Sequence, residues 1–384
     1  MQRELTFVGG ELLGPRGLAP ADLSIRDGCF ADATVGARWR RVDVGGLWLL
    51  PGIVDLHGDG FERHLAPRRG VMTDLAKGLE AVEAELATCG ITTAWLAQFW
   101  SWEGSMRGPG FATRLAEALT GSRAGRRLDL RMQLRLESHM VEDGDAVRSL
   151  IAAHGIDYLV LNDHLPHARL AEGRTPPRLT GSALKAGRSP EAHLAEMRHR
   201  AAQGSMVAGF VGALARDLAA LGVRLGSHDD PDAETRAWHS AQGFDICEFP
   251  TTRAAAEAAH AEGAPVIMGA PNVLRGGSHG KGVAAEALIA DRLVDALVSD
   301  YHYPSLAGAA LALADRGTVG FAEAWALISS RPAALMGLAD RGRIAPGARA
   351  DLVVFDPAGC RILGCFAAGR PAYLSGPLAD ALLS

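Results

Sequence analysis

The residues best able to do chemistry begin at His57-Gly58-Asp59. Residues two apart on a strand point to the same face. An imidazole and a carboxylate can therefore aim at one point just past a strand end, which is half of a metal site for zinc, manganese or iron. A buried, hydrogen-bonded histidine beside a turn aspartate is the simpler alternative. The rest of the chain weighs against it. Glu137 and His139, then Asp163 and His164, then His228, Asp229 and Asp230 each follow an apolar run. Glu248, Asn272 and Asp300 close three more. Ligand-type residues after so many apolar runs point to a metal centre.

The elements that must position them alternate. Candidate strands Ile53–Leu56, Thr92–Leu96, Asp129–Leu136, Asp157–Leu161, Val223–Gly226, Asp245–Phe249, Pro265–Met268 and Ala296–Ser299 are mostly separated by amphipathic helical stretches. Glycines 90, 155, 222, 243 and 263 end helices just before the next strand. Such βαβ alternation predicts an α/β fold, a (β/α)8 TIM-like barrel over 51–338. Its active face would carry the strand ends. Both termini read as short strands, so we expect 1–50 and 339–384 to fold together as a small β-sandwich. The segment from Pro166 to Gly204 is long, rich in Arg, Pro and Gly, and weakly periodic. It reads as a long loop, suited to a lid or to oligomer contacts.

Composition sets the outer bounds. The chain has 384 residues, a hydrophobic fraction of 48%, a charged fraction of 22% and net charge −5. Those values suit a globular enzyme and exclude a global pull toward nucleic acid. No apolar run is long enough to span a bilayer. Behind Met1-Gln2-Arg3-Glu4 there is no long apolar run, and the five scattered cysteines include no CxxC. We therefore expect a cytoplasmic location with structural thiols.

Two stretches resemble the amidohydrolase superfamily over almost the whole chain: Leu50-Pro51-Gly52-Ile53-Val54-Asp55-Leu56-His57, and Gly342-Arg343-Ile344-Ala345-Pro346-Gly347-Ala348-Arg349-Ala350-Asp351-Leu352-Val353. A closer likeness runs through Gly226-Ser227-His228-Asp229-Asp230, Glu248-Phe249-Pro250-Thr251-Thr252, Met268-Gly269-Ala270-Pro271-Asn272, Arg275-Gly276-Gly277-Ser278-His279 and Ser299-Asp300-Tyr301. This series is similar to the alkylphosphonate branch of the superfamily, which serves the carbon–phosphorus lyase pathway. The resemblance implies hydrolysis that releases pyrophosphate from a ribose 5-triphosphate carrying a phosphonate. The chain departs from that branch at Gly58 and Gly60, at Gln133 and Leu136, and from His167 onward. Hydrolysis of a C–N bond in a cyclic amide, and a catalytically silent barrel acting as a binding protein, stay open as alternatives.

With that resemblance, His57 and Asp59 would hold one metal, Glu137 would bridge, and His164 and His228 would complete a second shell. One or two divalent ions are implied, zinc first, with manganese or iron as alternatives. Asp300 would be the general base. Arg275, Ser278 and His279, in a glycine-rich loop that ends with Lys281, would bind a small anionic phosphorylated substrate. Glu248 and Asn272 would orient ligands. Arg63, Arg68 and Arg69 would add charge at the rim, and Trp95, Trp100 and Trp102 would wall a pocket or pack the core. A homo-oligomer is left open.

Overall fold

The computed structural model describes residues 4–32, 39–68, 71–72, 74–277 and 282–383. Eight parallel strands form one sheet in chain order: Ile53–Gly58, Ile91–Trp100, Asp129–Glu137, Tyr158–Asn162, Arg224–His228, Ile246–Glu248, Val266–Gly269 and Ala296–Val298. A parallel bridge between Gly58 and Asp300 joins the first strand to the last, so the barrel is nearly closed. The strands are buried along almost their whole length. That suits β-strands covered on both faces, which read as apolar runs rather than as alternation. Helices follow most of them, among them Leu75–Thr88, Pro109–Gly121, Gly144–His154, Gly204–Ala220, Ala233–Ala241 and Arg253–Ala261. Gly90, Gly155, Gly222, Gly243 and Gly263 all take positive φ at the helix-to-strand turns, as the sequence predicts.

The chain packs as two compact units. The first comprises Met1–Trp95, Arg123–Arg131 and Ile267–Ser384; the second comprises Leu96–Ser122 and Met132–Val266. In the first unit, both termini build two sheets. One has four strands, Leu5–Val8, Leu23–Arg26, Cys29–Ala31 and Arg40–Asp43. The other has six, Glu11–Gly14, Gly17–Pro20, Trp48–Pro51, Leu352–Asp356, Arg361–Ala367 and Arg370–Leu374. They share one core of Phe7, Ile25, Leu49, Val354 and Phe366. The Phe7 and Phe366 rings meet edge to face at 5.4 Å. This is the expected sandwich.

Gly52 is where the chain leaves the sandwich for the barrel. A Cβ there would stand 2.5 Å from Thr92 Oγ1 and 2.8 Å from Asp351 Cβ, so only glycine fits. Trp48–Pro51 pairs antiparallel with Leu352–Asp356, and the next strand begins at Ile53.

The segment Pro166–Gly204 is not the loop that its weak periodicity predicts. It holds helices His167–Ala171, Leu179–Ala186 and Pro190–Ala202. Their signals are caps rather than apolar period. Gly187 closes one helix in the left-handed region. Ser189 opens the next by accepting from Ala192 N–H, with Pro190 in the first turn. Few apolar positions are buried there, so periodicity is weak. The three tryptophans are core: Trp95, Trp100 and Trp102 are at most 4% exposed. All five cysteines are free thiols. No helix among the described residues is long and apolar enough to cross a membrane.

In the first unit, Asp129 accepts from Arg131 Nη2 at 2.9 Å and Arg341 Nη1 at 2.8 Å. Burial alone would raise this carboxyl, but the two guanidiniums outweigh it and hold it at about 2, against an ordinary 3.8. A depressed carboxyl contributes stability that is complete above its unfolded pKa and disappears as pH falls through the folded one. The ion pairs should therefore contribute about 2 kcal/mol above pH ~4 and lose it between pH ~4 and ~2. Asp129→Asn should lower the thermal midpoint at pH 6 and narrow its gap to wild type at pH 2.5. An equal gap at both pH values would refute this account.

Candidate active site

In the first unit, backbone pairing brings three of the expected residues together. His57 lies in the first barrel strand, with Asp59 just beyond its end. Asp300 N–H donates to His57 C=O and Asp59 N–H donates to Asp300 C=O, both at 2.9 Å. Asp300 takes φ +55°, a left-handed conformation uncommon for a side-chain-bearing residue. Asp229 and Phe249, after the fifth and sixth strands, do the same at +61° and +52°.

Asp55 escaped the sequence reading, although it alternates in phase with His57 and Asp59. Its buried carboxylate accepts from Ser299 Oγ at 2.6 Å, Ser299 N–H at 3.0 Å and His57 N–H at 3.4 Å. Burial raises its pKa despite those donors. Asp55 thus ties the first strand to the eighth just below His57. Tyr303 packs beside it, fully buried. Burial, followed by the charges of Asp55 and Asp59, pushes its hydroxyl well above the usual range. A Cβ at Gly58 would stand 2.6 Å from Tyr303 Cε1 and 2.9 Å from Asp55 Oδ2. At Gly60 it would meet Tyr303 Cε2 at 3.1 Å. The two glycines at the departure from the alkylphosphonate pattern therefore make room for the Tyr303 ring.

In the second unit, Glu137 and His164 are brought together. The buried Glu137 carboxylate bonds His164 Nδ1 and accepts from His164 N–H at 3.0 Å. Burial alone would depress the His164 imidazole; the carboxylate outweighs it and raises the pKa. The third strand alternates Gln133, Arg135 and Glu137 on the face that carries Glu137; in the sequence, Gln133 stands out only as a departure from the alkylphosphonate branch and Arg135 has no assigned role. Arg135 Nη2 lies 3.0 Å from His228 Nε2. A guanidinium only donates, so Nε2 accepts and the proton sits on Nδ1, which faces Asp229 Oδ2 at 3.1 Å. The Arg135 guanidinium also stacks 4.0 Å from the centre of the Phe99 ring. His228 is thus oriented from both nitrogens. Glu248 is held on one oxygen by Tyr158 OH at 2.6 Å and Gln133 Nε2 at 2.7 Å.

The remaining expected residues are placed as follows. Asn272 accepts from Ala285 N–H at 3.0 Å and donates to Val283 C=O at 3.2 Å, so it braces a turn. Arg63 bonds Glu85 and lies over the Tyr303 ring at 5.6 Å; it is not a loose rim cation. Arg275 is the exposed last residue of helix Ala270–Arg275, while Arg69, Ser278, His279 and Lys281 lie outside the described residues.

The donor chemistry suits a divalent metal. His57, Asp59, Glu137 and His164 offer imidazole nitrogens and carboxylate oxygens, the ligands of borderline ions; His228 joins them only when Arg135 releases its Nε2 lone pair. His139, Asp163 and His167 in the second unit place one ligand atom each within 4.8 Å of the others.

Comparison with known proteins bears on the family and the fold. The profile described as "Amidohydrolase family" matches residues 183–363. The chain is 33% identical over 329 residues to alpha-D-ribose 1-methylphosphonate 5-triphosphate diphosphatase of Escherichia coli (strain K12), covering 82% of this chain and 84% of that protein. Among solved structures, an amidohydrolase superposes with a TM-score of 0.67 at 16% identity, covering 97% of this chain and all of that one. N-acetylglucosamine-6-phosphate deacetylase from Pasteurella multocida superposes at 0.63 and 11% identity, covering 96% and 99%. The nearly closed barrel, the sandwich built from both termini and the relative at 33% identity lead to one conclusion: the chain belongs to the amidohydrolase family.

Proposed function

We propose that this protein is a metal-dependent hydrolase that releases pyrophosphate from α-D-ribose 1-methylphosphonate 5-triphosphate or a close analogue. The observation that carries the reading is the 33% identity to the Escherichia coli diphosphatase over most of both chains. His57 and Asp59 in the first unit, and Glu137, His164 and His228 in the second, are the residues we assign to hold one or two divalent ions, zinc first. When bound, such an ion supplies Lewis acidity toward a phosphoryl oxygen. Asp300 Oδ takes a proton from the attacking water, whose oxygen bonds to phosphorus as the α–β anhydride bond breaks and pyrophosphate departs. Asp55 and the backbone bridges of Asp300 hold His57 and Asp59 in place. Asp229 would hold the ring of His228 through Nδ1, and Arg135 would leave Nε2 for that nitrogen to take an ion. Arg275 and the Gly276-Gly277-Ser278-His279 stretch are assigned to the polyphosphate. A cytoplasmic location suits the free thiols.

Zinc-loaded protein incubated with the ribose phosphonate triphosphate should release stoichiometric pyrophosphate, read by a coupled phosphatase assay and by phosphorus NMR. Bound zinc without pyrophosphate release, together with ring opening of a cyclic amide, would overturn the substrate and keep the family.

A further inference from the structure

We infer that His139, Asp163 and His167 form an additional divalent-cation site, with none of the residues assigned above as ligands. The fold brings them together through the third and fourth barrel strands. Glu137 pairs with Asn162 in register, and Ser138 N–H donates to Asn162 C=O at 2.8 Å. His139 thereby stands beside Asp163, the first residue after the fourth strand. His167 opens the helix His167–Ala171, one turn later, and turns its ring back.

The distances suit coordination. His167 Nε2 lies 2.8 Å from Asp163 Oδ2, and His139 Nδ1 lies 3.8 Å from the same oxygen. The two imidazole centres are 5.0 Å apart. Tetrahedral zinc, with bonds of about 2.0–2.1 Å, sets its donor pairs about 3.4 Å apart. The observed separations straddle that value, so small rotations of the exposed His167 and Asp163 side chains would complete three ligands. His139, 4% exposed, is the rigid anchor; its Nδ1, which the Ser138 hydroxyl meets at 3.0 Å, exchanges that hydrogen bond for the ion. The His167 and Asp163 side chains are 50% and 42% exposed, which gives an ion an entry path and leaves a coordination position open to water. Asp163 and His167 also line a cavity of about 390 Å³ with Asn162, Asp229, Asp230 and His239. Two histidines and one carboxylate with a free position make a set that zinc takes readily.

The test uses the full chain. Protein stripped with a chelator, reloaded with excess zinc and desalted is assayed for zinc per chain, for wild type and for His167→Gln. His167→Gln removes an exposed ligand at a helix start, and its melting midpoint confirms that it folds. Wild type should retain about one equivalent more than the variant, and an anomalous difference map from zinc-soaked crystals should show a peak among the three side chains. Glu137→Gln, which removes a proposed catalytic ligand and none of the three side chains, should leave that peak in place. Equal zinc content in wild type and His167→Gln, or no anomalous peak among the three residues, would reduce the cluster to an ion pair and overturn the inference. Failure of the pyrophosphate assay would not change the one-equivalent difference.

Discussion

Asp300→Asn is expected to lower kcat for pyrophosphate release by about 10²- to 10⁴-fold, the usual contribution of a positioned general base. The substitution is nearly isosteric and spares the scaffold, because the bonds to His57 and Asp59 use the backbone of residue 300, not its carboxylate. Asparagine also tolerates the left-handed conformation at φ +55° better than most residues. Zinc retention and the melting midpoint should therefore stay near wild type while turnover falls. A kcat within a few-fold of wild type would remove Asp300 from the proton-transfer role. A large loss of zinc would move it from base to ligand.

The second large effect is on stability. Arg236 is fully buried in the second unit. It donates to Ser227 Oγ at 2.7 Å, to Ile246 C=O at 3.3 Å and to Phe244 C=O, and lies 3.5 Å from Asp230 Oδ2. Asp230 also meets His239 Nδ1 at 2.9 Å. Burial would raise the Asp230 carboxyl, yet His239, Ser227 and Arg236 together hold it below its ordinary value. Arg236→Met keeps the volume but leaves that carboxylate short of a cation, at an expected cost of about 3–5 kcal/mol. Thermal unfolding should show it as a fall in midpoint of the order of 10 °C. Arg236→Met with Asp230→Asn should be less destabilised than the single Arg236→Met variant, since the stranded charge is gone. Equal midpoints for the single and double variants would refute the charge argument. Because Asp230 stands two residues past His228, the single variant should also weaken zinc retention.

Much of this protein was legible from residue order. Apolar runs, five of them preceded by a helix-ending glycine, placed eight strands to within a few residues, because a strand covered on both faces must be apolar throughout. His57, Asp59 and Asp300 were legible as strand-end residues, and the structure ties them by backbone bonds within one unit. Glu137 and His164 were legible as well, and they bond each other. The helices after Pro166 were not legible, because capping by Ser189 and Gly187 rather than apolar period specifies them.

What the sequence by itself determined is the set of chemical groups and the strand end to which each belongs, since alternation and apolar length are local properties. What only the tertiary structure decided is which group meets which. Asp55 reaches Ser299 across 244 positions. Arg135 turns to His228 across 93, and Tyr158 to Glu248 across 90. Those partners are set by strand register, which aligns residues far apart in the chain. No local pattern carries that information.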